Sequence, residues 1–209
     1  MIFRLNDDLI FPDPIYAEPD GLLAIGGNLS TERLLLAYAN GIFPWYNEGE
    51  PIYWYSPHER FVLFPKDLKV SQSMRRVIKK QQFNITFNQN FEQVIEKCSN
   101  ITREGQNGTW ITNDMKAAFI KLYKEGYAHS VEVWESDKLV GGLYGVAINK
   151  VFCGESMFTL VPNASKFALI QLVNRNLFKL IDCQVHTNHL ESMGAKIISL
   201  SEYLSILKS

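Results

Sequence analysis

The stretch from Ser130 to Glu155 constrains the fold more than any other part of this chain. SVEVW (130–134) alternates apolar and polar residues, KLVGGLYGVAI (138–148) and KVFCGE (150–155) are mostly apolar, and short connections separate them, the second a turn at Asn149. Runs of this length and spacing read as strands. Helical periodicity stands on both sides of them. Ser71 caps a segment predicted to be helical through Gln82, with Met74, Val77 and Ile78 on its apolar side. A second helix is expected from about Asn90 to Cys98, with Phe91, Val94 and Ile95 inward. Thr112 or Asn113 opens a third, with Met115, Ala118, Phe119 and Leu122 at helical spacing before Gly126. Beyond the strands, Asn163 or Ser165 begins a helix carrying Leu169, Leu172, Val173 and Leu177 on one face. KLIDCQV and AKIISL then read as short strands before a final short helix. This order predicts an α/β (α+β) layer with a mixed sheet over residues 61–209.

Residues 1–60 differ in character. They are dense in Pro, Gly and aromatic residues around one helix, which Ser30 caps and Asn40-Gly41 stops, and they predict a small, loop-rich N-terminal domain. A chain of 209 residues, 46% hydrophobic and 21% charged, builds a core without disulfide or metal staples. The formal net charge of -1 excludes a globally basic protein, so any surface for a polyanion has to be local. Cys98, Cys153 and Cys183 are odd in number and lack Cys-x-x-Cys spacing, which points away from a disulfide framework and a zinc site and toward a reducing compartment. The opening MIFRLNDDLIFPDP is neither a signal peptide nor a membrane span, so a cytoplasmic location is expected.

Chemistry-bearing residues fall into four groups. Asp182 lies within the apolar run LIDCQV, where a carboxylate is costly to bury unless it is hydrogen-bonded or paired. In a strand it shares a face with Gln184, whose amide donates and accepts, while Cys183 points to the opposite face as packing. That pair suits either a structural polar network or the handling of an amine proton. Glu155 ends the run VFCGE. Trp45, Trp54 and Trp110, with Tyr46, Tyr53 and Tyr55, read as core aromatics or as a platform for unpaired bases. Arg75, Arg76, Lys79 and Lys80 form one helical face, either solvated or turned toward phosphates. His186 and His189 lack a third ligand or a zincin Glu, and Cys153 reads as a buried thiol, so neither supports a metal or nucleophile site.

Together the motifs resemble the leucyl/phenylalanyl-tRNA–protein transferases. GLLAIGGNLS (21–30), LLLAYANGIFPWY (34–46), WYSPHERFVLFP (54–65), GTWIT (108–112), AHSVEVW (128–134), LVGGLYGVA (139–147), FCGESMF (152–158), NASKFAL (163–169) and LIDCQ (180–184) follow the family's order over about residues 12–200. The resemblance implies a GNAT-like acyltransferase domain after the small N-terminal one. It implies transfer of Leu, Phe or, less readily, Met from aminoacyl-tRNA to the N-terminal amine of proteins beginning with Arg or Lys, creating an N-degron. No metal or nucleotide cofactor is implied, nor any membrane, and a monomer is expected. Asp182 and Gln184 would orient the amine and take or relay its proton, with Glu155 holding a polar group of the substrate. Leu143, Phe152, Leu169 and Leu172 match the pocket for the amino-acid side chain. Trp45, Trp110 and Tyr38 match positions around the terminal adenosine, and the basic helix face is the candidate for acceptor-stem phosphates. Two departures are the missing glycine before LIDCQ and the end of the chain at Ser209, without the tail of many relatives. The alternatives are an acetyl-CoA-dependent GNAT enzyme, whose pyrophosphate loop is not found in the sequence, and an inactive RNA- or degron-binding module.

Overall fold

The computed structural model describes residues 2–101 and 110–209. Gly108 and Thr109 of the GTWIT motif lie outside them. The small lobe holds β1 (Phe3–Leu5), β2 (Leu22–Gly26), α1 (Thr31–Ala39), β3 (Phe43–Pro44) and β4 (Tyr53–Tyr55), with its strands in the order β1-β2-β4-β3. Ser30 caps α1 by accepting from the Arg33 amide at 3.3 Å, and Asn40 closes it by donating to the Leu36 carbonyl at 2.8 Å. Trp54 is fully buried and donates to the Gly26 carbonyl at 2.8 Å, so it belongs to the core and not to a base-stacking surface.

Gly41 makes the turn after α1 possible. Its φ is +74°, and a Cβ there would stand 2.9 Å from Leu204 Cδ2. Gly41→Ala is therefore expected to lose about 1–3 kcal/mol of stability in denaturant unfolding. An unchanged midpoint would contradict that reading.

The main sheet runs β11-β5-β10-β9-β8-β7-β6. Its strands are β5 (Glu59–Leu63), β6 (Asn84–Phe87), β7 (Ala128–Glu135), β8 (Lys138–Ile148), β9 (Val151–Thr159), β10 (Leu180–Gln184) and β11 (Lys196–Ser199). Every neighbouring pair in it is antiparallel except β9 and β10. Those two are parallel because α5 (Ala164–Asn174) carries the chain back between them. The expected mixed α/β sheet is observed.

Two apolar layers cover the sheet. One joins the small lobe to residues of α3 (Phe91–Ser99), α4 (Asn113–Lys124) and α7 (Leu200–Leu207). The other is built by α5 and α2 (Gln72–Lys79). Leu34, Phe91, Phe119 and Tyr203 on the first side are at most 1% exposed, and burial of such side chains stabilises by about 1.5–3 kcal/mol each.

Several boundaries depart from the sequence reading. Strands β5 and β6 were not foreseen, β5 starts at Glu59, and β9 runs on to Thr159. Helix α2 stops at Lys79, since Gln81 takes φ +50° and cannot continue it to Gln82. Helix α5 stops at Asn174, which leaves Leu177 off its apolar face and 51% exposed. Among the described residues no helix is long and apolar enough to cross a membrane.

Candidate active site

Pairing between β9 and β10 ends at Cys153↔Asp182, and a cavity of about 360 Å³ opens beside the residues that follow on both strands. The end of a parallel strand pair is a common place for ligands in sheets of this kind. Each strand carries an irregularity here. On β9, Tyr144 pairs with Ser156 and Gly145 with Gly154, so Glu155 is an extra residue. On β10, Val62 pairs with Asp182 and Phe61 with Gln184, which makes Cys183 extra. Bulges re-aim side chains and occur often beside active sites. The one on β9 also reverses the inside–outside alternation: Cys153 faces the small-lobe core before it, and Phe158 does so after it.

The chain turns sharply at Gln184. Its φ is +62°, and the Val185 amide donates to the Cys183 carbonyl at 2.7 Å, closing a three-residue turn. A non-glycine residue held this way costs about 1–3 kcal/mol and persists only where its surroundings enforce it. Asp182 supplies the enforcement, since its Oδ1 accepts from the Gln184 amide at 2.8 Å.

Asp182 itself is 0% exposed and saturated with donors. Arg60 Nε donates to Oδ1 at 2.9 Å and Nη2 to Oδ2 at 2.7 Å, while the Tyr203 hydroxyl donates to Oδ2 at 2.9 Å. Burial alone would lower the Arg60 pKa, and the facing Asp182 carboxylate more than reverses that, so the guanidinium stays charged. The expectation that Asp182, with Gln184, orients the amine and takes or relays its proton thus meets a carboxylate that already accepts from Arg60, Tyr203 and the Gln184 amide. Every strong acceptor direction it has is already taken, and its link to Gln184 runs through that residue's backbone amide.

Gln184 and Glu155 line the cavity beside Asp182. Gln184 Nε2 donates to Glu155 Oε1 at 2.7 Å, and no hydrogen bond among the described residues occupies Gln184 Oε1. Burial pushes the Glu155 carboxyl up to about 8, with the nearby Asp182 charge adding to the rise and contacts from Tyr38 and Gln184 opposing it. Glu155 is thus mostly protonated at neutral pH and poised to titrate just above it. Tyr38 is 1% exposed, and its buried hydroxyl interacts with Glu155 without meeting ordinary hydrogen-bond geometry. Buried there, it offers no face for stacking on an adenosine.

The other sequence candidates fall as follows. Leu143, Phe152, Leu169 and Leu172 all line the cavity, as do Trp45, which is 37% exposed, and Trp110. A side chain at Gly145 would collide with the Phe152 ring and the Cys153 carbonyl, so this glycine sets the pocket wall. Cys183 also lines the cavity, whereas the sequence had left it as packing, and burial pushes its thiol well above the usual range. Cys153 is fully buried with its thiol likewise raised. Arg75, Arg76 and Lys79 on α2 and Lys80 at its C-cap are exposed. His186 pairs with Glu191 at 3.0 Å. His189 lines the cavity, and burial, with the nearby Lys166 charge adding to it, lowers its pKa.

Residues 62–208 match the family described as Leucyl/phenylalanyl-tRNA protein transferase, and residues 27–58 match that family's N-terminal domain. The chain belongs to this transferase family. A Flavobacterium johnsoniae protein named leucyl/phenylalanyl-tRNA--protein transferase is 54% identical over 211 residues, covering 100% of this chain and 100% of that protein. A Syntrophobacter fumaroxidans protein of the same name is 55% identical over 209 residues, covering 99% of this chain and 89% of that protein. A solved GCN5-related N-acetyltransferase from Kribbella flavida overlaps 77% of this chain and 58% of that one at 11% identity, with a TM-score of 0.41. The fold class rests on the strand order and helix layers.

For this member of the leucyl/phenylalanyl-tRNA protein transferase family, the sequence reading missed Arg60 and Tyr203. One signal was present for the arginine. It opens the apolar run RFVLF in the same chain that buries Asp182, and a buried acid calls for a cation in a segment of equal hydrophobicity. Tyr203, in a helix of ordinary amphipathic pattern, gave none.

Proposed function

We propose that this protein transfers Leu, Phe and, less readily, Met from aminoacyl-tRNA to the N-terminal α-amine of proteins that begin with Arg or Lys, marking them with an N-degron. The observation that carries this reading is the Gln184–Glu155 pair on an otherwise largely apolar cavity wall, with Trp45 and Trp110 also lining the cavity. An aminoacyl ester is already activated, so the site has to hold an amine against it and remove a proton. The acceptor α-amine has an ordinary pKa of about 8 and is partly neutral near pH 7. Gln184 Oε1 accepts a hydrogen bond from that amine. Glu155, with a carboxyl tuned to about 8, takes the proton in its ionised form as the tetrahedral intermediate forms. The intermediate then collapses with cleavage of the ester C–O bond, and the ribose oxygen of the tRNA leaves with the proton returned by Glu155. Asp182 keeps Gln184 in place.

Leu143, Phe152, Leu169 and Leu172 receive the apolar side chain, which such a wall discriminates by only ~1–3 kcal/mol per methylene. Trp45 and Trp110 stack on the terminal adenosine, and the exposed cations of α2 meet acceptor-stem phosphates without reading bases. Residues 1–60 serve as the small lobe of the aminoacyl site and 61–209 as a GNAT-like transfer domain. The protein acts as a monomer in the cytosol.

The test is transfer of labelled Leu or Phe from charged tRNA to an Arg-initiated peptide. Wild type should transfer, and Gln184→Ala should fall by about 100-fold. Absence of transfer by the wild type would reject the reading, and an unimpaired Gln184→Ala would remove this residue from the mechanism.

A further inference from the structure

Arg60 joins three parts of the chain that are remote in sequence. From β5 it holds Asp182 on β10 through Nε and Nη2. Its Nη1 donates to the Gly41 carbonyl at 3.1 Å, at the stop of α1. The guanidinium lies 4.7 Å from the ring centroids of both Phe43 in the small lobe and Tyr203 in α7. Tyr203 in turn donates to Asp182. Phe43 lines the cavity.

A buried ion pair is weak evidence of a stabilising device, because desolvating both charges offsets most of their attraction. What this one supplies is geometry. A guanidinium fork fixes the plane of the carboxylate it meets, and a point charge does not. Asp182, so fixed, holds the turn that aims Gln184.

We propose that Arg60 and Tyr203 are positioning residues of the transfer reaction. They lock Asp182, and through it the strained Gln184 turn, in register with the small lobe at Gly41 and Phe43. An aminoacyl end seated against Phe43 is then one ring contact from the arginine that aligns the reaction strand, so filling the cavity and aligning Gln184 are coupled. This inference rests on Gln184 lying at the reaction centre.

The test uses the full chain with Arg60→Lys and Tyr203→Phe, each compared with wild type in steady-state transfer and normalised to the folded fraction. Lysine keeps the charge and loses the fork; phenylalanine keeps the ring over Arg60 and loses one hydrogen bond to Asp182. Expected is a fall in kcat of about 100-fold for Arg60→Lys and about tenfold for Tyr203→Phe, with KM for charged tRNA changed less than about twofold. If Arg60→Lys does not fold, Tyr203→Phe decides alone. Unchanged kcat in a folded variant, a loss that disappears after normalisation, or a loss confined to KM would each overturn the proposal. A wild-type protein without transfer activity would overturn the functional reading, and this inference with it.

Discussion

Asp182→Ala is expected to lose about 3–5 kcal/mol of stability, the usual consequence of leaving a buried partner charge uncompensated. The charge left behind is the Arg60 guanidinium, which is 0% exposed and keeps, among the described residues, the Gly41 carbonyl and two aromatic faces. The Tyr203 hydroxyl loses its acceptor as well. Whatever folds should transfer poorly, by about 100-fold or more, because the Gln184 amide loses the acceptor that holds its turn. Asp182→Asn separates the two effects. Its carboxamide oxygen can still accept from the Gln184 amide, so its transfer should exceed that of Asp182→Ala when both are measured on folded protein. Urea unfolding gives the stability term, and single-turnover transfer below the unfolding midpoint gives the other. A folded Asp182→Ala that transfers like wild type would show that the Gln184 turn does not need its carboxylate.

Glu155→Gln is expected to act through pH. With the carboxyl at about 8, both Glu155 and the acceptor amine have to lose a proton below that pH for transfer to proceed. The logarithm of the wild-type rate should then climb with pH between about 6 and 8 at a slope near two, and that of Glu155→Gln at a slope near one. Equal slopes would remove Glu155 as the proton acceptor. Stability supplies an independent readout. The folded carboxyl is raised from an ordinary 4.5 to about 8, so between those values the folded state holds a proton that the unfolded state has released. Wild-type stability from this group is therefore complete below about 4.5 and declines as pH rises toward 8, by at most ~1.4 kcal/mol per unit. Glu155→Gln lacks that decline, so its melting temperature relative to wild type should rise across the same window.

Much of the fold was legible because it depends on neighbours in sequence. Ser30, Ser71 and Thr112 each accept a hydrogen bond from the amide three residues on, which is a local event written in one residue type and its spacing. The strands 130–134 and 138–148 announce themselves by periodicity for the same reason. Strand β5 was hidden because HERFVLFP, with two charges inside and a proline after it, lacks clean alternation. Its inclusion is decided by β10 and β11, which pair with it from far along the chain.

The segment Leu180–Gln184 shows the same division at the site. By itself the sequence determined that a carboxylate would be buried in an apolar strand, that it would need partners, and that Gln184 stood beside it. The resemblance to the family raised the expectation that this segment is a reaction centre. Only the tertiary structure decided which partners that carboxylate has. Arg60 lies 122 positions from Asp182, and no pattern of local spacing encodes a contact at that separation. That contact, with those from Tyr203 and the Gln184 amide, takes up the acceptor directions of Asp182, beside the Gln184–Glu155 pair on the cavity wall. The bulges at Glu155 and Cys183 are decided in the same way, by pairing with β8 and β5, because an extra residue in one strand has meaning only against its partner.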